Sequence, residues 1–312
     1  MAGNDAPRSL VAVVGPTGSG KSELALRIAE EFDGEVVNCD SLQLYRYLDI
    51  GTAKLLPAER RGIPHHLLDI LNPDQVFTAG EYARTAREVI CEIASRGRLP
   101  VVCGGTGFYL RALLEGLFPG PRRDDRLRAR LVRREALHPG WLHALLARFD
   151  APSAARIQAA DVQKLIRAVE VLLLSRRPLS SWFEEGRDAF EGFRALKLGL
   201  DPPRRELYAR LDRRTAAMFS GGLLDEVRHV LALGFPPGSK ALEAHGYKQA
   251  LQILRGESPE EIAVISAQQN TRRYAKRQWT WFRRDKEVIW LQGFGADAAT
   301  QAKALTQVGK FL

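Results

Sequence analysis

The sequence predicts an α/β protein: a parallel sheet wound with crossover helices, carrying an inserted helical domain. Three observations carry this reading. Apolar runs of strand length stand at residues 10–14, 35–39, 99–103, 196–200 and 288–291, with helical patterns between them. The first run feeds directly into a glycine-rich turn, and the helix-forming stretch Glu23-Leu24-Ala25-Leu26-Arg27-Ile28 follows that turn. Between the third and fourth runs lie about 90 residues with no good strand, too many for an ordinary crossover.

Taken in order, Leu10-Val11-Ala12-Val13-Val14 reads as a buried strand, and the turn after it is Gly15-Pro16-Thr17-Gly18-Ser19-Gly20-Lys21-Ser22. In a strand–turn–helix setting this is a phosphate loop, so the predicted core is P-loop NTPase-like. Backbone N–H groups and the helix N-terminus would cradle two linked phosphates. Lys21 would reach their oxygens, and the Ser22 hydroxyl would hold Mg²⁺.

The second run, Val36-Val37-Asn38-Cys39, ends in Asp40-Ser41. An acid at the carboxyl end of a strand, beside a phosphate site, lies where open α/β sheets place their chemistry. Asp40 could hold Mg²⁺ through water, act as a general base towards a second substrate, or simply cap a following helix. The third run, Leu99–Cys103, ends in Gly104-Gly105-Thr106-Gly107, without the acid that phosphoryl transfer and ATP hydrolysis expect.

The strandless stretch holds four helical patterns, Asp125–Leu137, Pro139–Phe149, Pro152–Gln158 and Val162–Leu174. The predicted organisation is a core from residues 1–124 and 191–312 with a helical insertion at 125–190. Arginine is dense where the insertion begins, at Arg122, Arg123, Arg126, Arg128, Arg130, Arg133 and Arg134. A solvated face tempered by Asp124, Asp125 and Glu135 explains this as well as a grip on phosphates does.

From Ser258 to Arg284 nothing after Pro259 interrupts a helical pattern, which predicts one helix about 40 Å long. Arg273, Lys276, Arg277, Thr280 and Arg284 form a basic stripe on it, and Tyr274, Gln278 and Trp281 share a neighbouring face. Basic groups interleaved with aromatics suit a nucleic-acid backbone and unstacked bases. The competing account buries the aromatics and leaves the charges to solvent.

The chain has 312 residues, 45% hydrophobic and 27% charged, with a net charge of +9. That is ordinary for a globular protein of about two domains. No 18-residue apolar stretch exists, and Met1–Pro7 is short and polar, so neither a membrane span nor a signal peptide is expected. Cys39, Cys91 and Cys103 are odd in number and unpaired in spacing, which fits reduced thiols in a cytoplasmic protein.

Several motifs together resemble the tRNA dimethylallyltransferase (isopentenyltransferase) family. They are the loop at 15–22, Asp40-Ser41-Leu42-Gln43-Leu44-Tyr45-Arg46, Asp49-Ile50-Gly51-Thr52-Ala53-Lys54 and His65-His66-Leu67-Leu68-Asp69. Gly104-Gly105-Thr106-Gly107-Phe108-Tyr109, Arg167-Ala168-Val169-Glu170-Val171, Gly246-Tyr247-Lys248 and Tyr274-Ala275-Lys276-Arg277-Gln278 continue the match in order. The resemblance implies that the loop holds the pyrophosphate of dimethylallyl diphosphate. The allyl group would pass to N6 of the adenosine 3′ to the anticodon of tRNA, with the adenosine flipped into a shared channel.

The resemblance further implies Asp40 as base, Thr106 near the reacting groups and Arg214 near the pyrophosphate, with Mg²⁺ on Ser22. Asp40, Ser41, Leu42 and Gln43 would meet the flipped base. Further tRNA contacts would come from Thr106, Arg128, Gln163, Lys164, Leu165, Ile166, Arg167, Ala244, His245, Gly246, Tyr247, Lys248 and Gln249. Lys276, Arg277, Gln278, Trp279, Thr280, Trp281, Phe282 and Arg283 would complete them, and the insertion would clamp the anticodon stem-loop. A monomer is expected.

Departures from the family pattern are His245 in place of a small apolar residue and Arg156–Asp161 without His-Pro-Asn before the Asp. Gly18 stands for the commoner Ala, and Ser22 for Thr. No zinc-finger extension follows residue 291, which predicts the bacterial form. Two other readings compete: allyl transfer to a free adenine mononucleotide, and an ATP-dependent kinase or nucleic-acid-stimulated ATPase.

Overall fold

The computed structural model describes residues 7–312; of the polar lead Met1–Pro7, residues 1–6 lie outside the described residues. The chain forms two compact units, one of Met1–Leu114 with Phe190–Leu312 and one of Glu115–Ala189. No helix among the described residues is long and apolar enough to cross a membrane.

The larger unit begins with β1 (Arg8–Val14), α1 (Lys21–Glu31), β2 (Gly34–Asn38), β3 (His65–His66), α2 (Ala79–Ser95), β4 (Leu99–Cys103) and α3 (Gly107–Leu114). The smaller unit holds α4 (Asp125–Leu137), α5 (Trp141–Phe149), α6 (Ala151–Arg156), α7 (Val162–Ser175) and α8 (Leu179–Glu184). The larger unit resumes with β5 (Phe193–Asp201), α9 (Arg204–Ser220), α10 (Leu223–Ala232), α11 (Tyr247–Leu254), α12 (Glu260–Phe282), β6 (Val288–Gln292) and α13 (Ala298–Phe311).

Six strands pair in the order β3-β2-β4-β1-β5-β6, every pair parallel. Leu10, Val11, Ala12 and Val13 have no exposed surface, so β1 is covered on both faces and its sequence runs apolar without alternation. The five apolar runs seen in the sequence are five of the six strands. β3 is the addition; at two residues it is too short to show a period, and only its pairing with Val36 and Val37 defines it.

Because β2, β4 and β1 are neighbours, the loops leaving their carboxyl ends lie side by side. These are the phosphate loop, the Asp40 turn and the Gly104–Thr106 turn. The helices that support them are locally well specified. Thr78 caps α2 by accepting from the Glu81 amide, while the Glu81 side chain answers the Thr78 N–H. Tyr82, Ala86, Ile90 and Ile93 then recur at helical spacing on the buried face of α2.

The smaller unit has its own core, in which Leu142, Leu146, Leu165, Ala168, Val169 and Val171 are fully buried. It begins ten residues before the boundary read from the sequence because Phe118 packs on this core and the Asp188 N–H donates to the Leu117 carbonyl at 3.2 Å. Asp161 caps α7 by accepting from the Lys164 N–H at 3.2 Å.

At the centre of that unit Glu170 is fully buried. Its carboxylate accepts from the Asp124 N–H at 2.8 Å and pairs with Arg167 at 2.7 Å and Arg128 at 3.6 Å. Removing it leaves a backbone donor and two guanidinium groups without their acceptor. Glu170→Ala is expected to destabilise the unit by about 2–4 kcal/mol, read as a lowered denaturation midpoint for the smaller unit. An unfolding free energy within about 0.5 kcal/mol of wild type would contradict this role.

Candidate active site

The phosphate loop leaves β1 with three glycines at positive φ, Gly15 (138°), Gly18 (77°) and Gly20 (88°). At Gly20 a Cβ would sit 2.9 Å from the Gly295 nitrogen, so the loop is pressed against the turn after β6 and admits no side chain there. That turn binds it, with the Gly295 N–H donating to the Ser19 carbonyl at 2.8 Å. Within the loop, Ser19 Oγ and Lys21 Nζ both donate to the Pro16 carbonyl at 2.8 Å.

Two cations meet here. Burial holds Lys21 below the ordinary lysine value; Cys103 and Asp40 oppose the shift and Arg214 adds to it. Arg214, from α9, donates through Nη2 to Thr17 Oγ1 at 2.9 Å, while its buried Nε has no hydrogen-bond partner among the described residues. Burial lowers Arg214 too, with Arg210 adding to the shift and Asp40 opposing it. A phosphate loop flanked by two desolvated cations and an unsatisfied buried donor is built to receive an anion.

The second loop is set by Asn38. Its amide donates to the Asp40 and Leu67 carbonyls at 3.0 and 2.9 Å and accepts from the Asp40 N–H at 3.0 Å. Asp40 Oδ1 accepts from the Leu42 N–H at 3.0 Å. No helix follows; residues 41–44 form turns, so the capping explanation of Asp40 is replaced by a local Asp turn. Thr106, which a helix cap would also explain, instead accepts from the Ser41 N–H at 3.0 Å through Oγ1 and thereby ties the third loop to the second. Tyr274, from α12, also lines this space; burial and then Asp40 push its phenol above the ordinary tyrosine value, and Thr106 opposes the shift.

These groups line one cavity of about 510 Å³. Thr17 and Arg214 bring the anion site to it, Asp40 and Thr106 supply polar wall, and Val76, Phe77, Met218 and Phe219 supply apolar wall. His245 and Arg277 also line it. Arg277 continues into a shallow groove shared with Arg273, Lys276, Thr280, Trp281 and Arg284, so the basic stripe read from the sequence is one continuous surface.

Residues 43–285 match the IPP transferase family. The chain belongs to that family. It is 62% identical over 303 residues to the tRNA dimethylallyltransferase of Solibacter usitatus (strain Ellin6076), covering 97% of this chain and 99% of that one. Among solved structures it is similar to the full-length tRNA isopentenylpyrophosphate transferase of Bacillus halodurans, at 35% identity and a TM-score of 0.71 over 97% of this chain and 95% of that one. A eukaryotic dimethylallyltransferase acting on tRNA superposes with a TM-score of 0.86 at 26% identity, over 97% of this chain and 79% of that one.

Within this IPP transferase the residues expected at the site divide by burial. Thr17, Asp40, Ser41, Leu42, Thr106 and Arg214 line the one cavity, while Ser22 and Gln43 line a smaller space beside Asn38 and Cys103. Ala244, His245, Lys248, Lys276, Arg277, Thr280, Trp281 and Arg283 keep exposed or half-exposed surface in the larger unit, and Arg128, Gln163, Lys164 and Arg167 do so in the smaller. Eight others are buried, Leu165, Ile166, Gly246, Tyr247, Gln249, Gln278, Trp279 and Phe282, and of these Gly246 lines the cavity. Leu165 and Ile166 pack in the core of the smaller unit, and Trp279 packs with Leu207 and Leu211. Gln249 Oε1 caps α11 by accepting from the buried Gly246 N–H at 2.9 Å. Helical spacing could not separate these from their exposed neighbours, because a basic helix face alternates with a packed one every few residues.

Glu226 was not singled out from the sequence, and Lys54 entered only as part of a motif. Glu226 accepts from the N–H groups of Asp49, Ile50 and Gly51 at 2.9, 2.7 and 3.3 Å and from the Tyr247 hydroxyl at 2.6 Å. Lys54, buried, holds Asp49 and Asp69 at 2.7 and 2.6 Å and the Tyr45 carbonyl at 2.8 Å. Both fix the long segment between β2 and β3. His245 lies edge-on to Tyr274, with its Nε2 3.4 Å from Arg277; burial, then Arg277 and Lys248, lower its pKa. The two strand-end thiols are inert: burial pushes Cys39 up to about 12 and Cys103 up to about 11.

Proposed function

We propose that this IPP transferase moves the dimethylallyl group of dimethylallyl diphosphate to N6 of the adenosine 3′ to the anticodon of tRNA, releasing pyrophosphate. One observation carries the reading: Thr17 and Arg214 of the anion site, Asp40 and Arg277 of α12 line a single cavity with an apolar wall, and Arg277 leads from it into the basic groove of α12. A phosphate loop alone would suit ATP. Here glycines follow β4, and the acid stands after β2, where it lines the cavity.

The adenine amine is a weak nucleophile, because its lone pair is delocalised into the ring. As the bond from N6 to C1 of the allyl group forms, the bond from C1 to the diphosphate oxygen breaks and its electron pair leaves with pyrophosphate. Asp40 accepts the proton released from N6. The loop amides, Lys21 and Arg214 receive the charge developing on the leaving group. The apolar wall shields the allyl cation character of C1 from water.

The donor set fits Mg²⁺. No cluster of three His, Cys, Asp or Glu that could hold a metal occurs among the described residues, and Mg²⁺ bound by one or two protein oxygens, substrate phosphates and water needs none. Ser22 would hold it, with Asp40 through water, and when bound it supplies further neutralisation of the diphosphate.

Arg273, Lys276, Arg277, Thr280 and Arg284 would follow the RNA backbone. The exposed Arg126, Arg130 and Arg133 of α4 make the smaller unit, residues 115–189, the second tRNA grip. A cytoplasmic monomer suffices for this, since every catalytic group named comes from one chain. In the assay, labelled dimethylallyl diphosphate with Mg²⁺ is offered tRNA, AMP and ATP in turn. The label is expected in tRNA alone; entry into mononucleotides alone would overturn the acceptor. Lys276→Ala with Arg277→Ala should weaken tRNA binding and reduce the slope of log K against log salt by about 1–2. An unchanged slope would make the stripe a solvated face.

A further inference from the structure

We infer that Gln278 is a positioning residue for the diphosphate grip, acting through Thr17, and not a contact to RNA. The inference rests on the function proposed above, because it concerns how the same site is held ready.

Gln278 stands on α12 between Arg277 and Thr280, which face solvent, yet it is only 4% exposed. Its side chain points the other way, into the junction of the phosphate loop and the Gly104–Thr106 turn. Oε1 accepts from the Thr17 N–H at 2.7 Å, and Nε2 donates to the Gly105 carbonyl at 2.9 Å. The two partners fix the amide orientation, since the first needs an acceptor and the second a donor. A Cβ on Gly105 would run into Nε2 of Gln278, so the glycine leaves room for this side chain.

Holding the Thr17 amide has a consequence one bond further on. Thr17 Oγ1 accepts from Arg214 Nη2 at 2.9 Å, so the backbone position of Thr17 sets where the guanidinium stands. The Gly105 end of the same bridge precedes Thr106, whose hydroxyl accepts from the Ser41 N–H beside Asp40 at 3.0 Å. One amide therefore joins the loop that grips the leaving group to the loop that borders the base, and it does so from the helix whose outer face carries the basic stripe. Neighbouring Trp279 and Ala275 are locked in the core with Leu207 and Leu211 of α9, the helix that also carries Arg214. The strut is anchored on a packed element at both ends.

The distinction from an RNA contact is measurable. In Gln278→Met the volume is nearly kept and both hydrogen bonds are lost. Binding of inorganic pyrophosphate with Mg²⁺ is expected to weaken roughly 10- to 100-fold, and kcat to fall by a similar factor, since a buried donor and acceptor lose their partners. Affinity for an unmodified anticodon stem-loop RNA should stay within about 2-fold, because the exposed cations remain. Thr17→Val removes the link to Arg214; if Gln278 acts through Thr17, the double variant falls no more than about 2-fold below the weaker single one.

Should Gln278→Met fail to fold, Gly105→Ala displaces the native glutamine and is expected to reproduce the same split. An RNA affinity that falls while pyrophosphate binding holds would overturn the inference, as would unchanged pyrophosphate binding or an additive double variant. Pyrophosphate binding requires no acceptor, so it tests the strut even if wild-type protein proves to transfer the allyl group elsewhere.

Discussion

Asp40→Asn is expected to lower kcat for allyl transfer roughly 10²- to 10⁴-fold while pyrophosphate affinity holds or rises slightly. Asparagine keeps an oxygen for the Leu42 N–H, so the turn set by Asn38 survives. It loses the carboxylate that would take the N6 proton. It also loses a negative charge that acts on both Lys21 and Arg214, which favours an anion in the loop. Single-turnover rates with enzyme in excess, beside calorimetric binding of pyrophosphate, separate the two effects. Equal loss of binding and of rate would move Asp40 from proton acceptor to structural support.

Arg214→Met is expected to cost roughly 10²- to 10³-fold in kcat/KM for dimethylallyl diphosphate, the scale for one electrostatic donor aimed at developing negative charge. Its second signature is in stability. The site holds Arg214 and Lys21 together under desolvation, with no hydrogen-bond partner for Arg214 Nε among the described residues. Removing one cation relieves that cost, so the unfolding midpoint should equal or exceed that of wild type. Added pyrophosphate should then raise the midpoint of wild type far more than that of the variant. A variant that is both inactive and several degrees less stable would make Arg214 a structural residue.

The parts of this molecule legible in its sequence are those that local rules dictate. The phosphate loop announces itself because its glycines must adopt φ values that side chains resist, and strands covered on both faces must read as apolar runs. α12 was visible as an uninterrupted helical pattern, and Asp40 as an acid at a strand end. What stayed hidden depends on partners far along the chain. Gln278 meets Thr17 across 261 residues, and Glu226 meets Ile50 across 176, so no spacing rule could pair them. The same limit explains why Trp279, Phe282, Leu165 and Ile166 were grouped with exposed neighbours. Their helices were evident, but which face the rest of the fold covers was not.

The central claim is that the loop grips a departing pyrophosphate and that the bond broken is carbon–oxygen. Dimethylallyl diphosphate carrying a heavy oxygen isotope in the bridge between C1 and phosphorus tests it directly, with tRNA as acceptor and mass spectrometry of both products. The label is predicted to appear entirely in released pyrophosphate, with an unlabelled five-carbon group on the adenine amine. Release of inorganic phosphate, or of pyrophosphate without the label, would contradict the account.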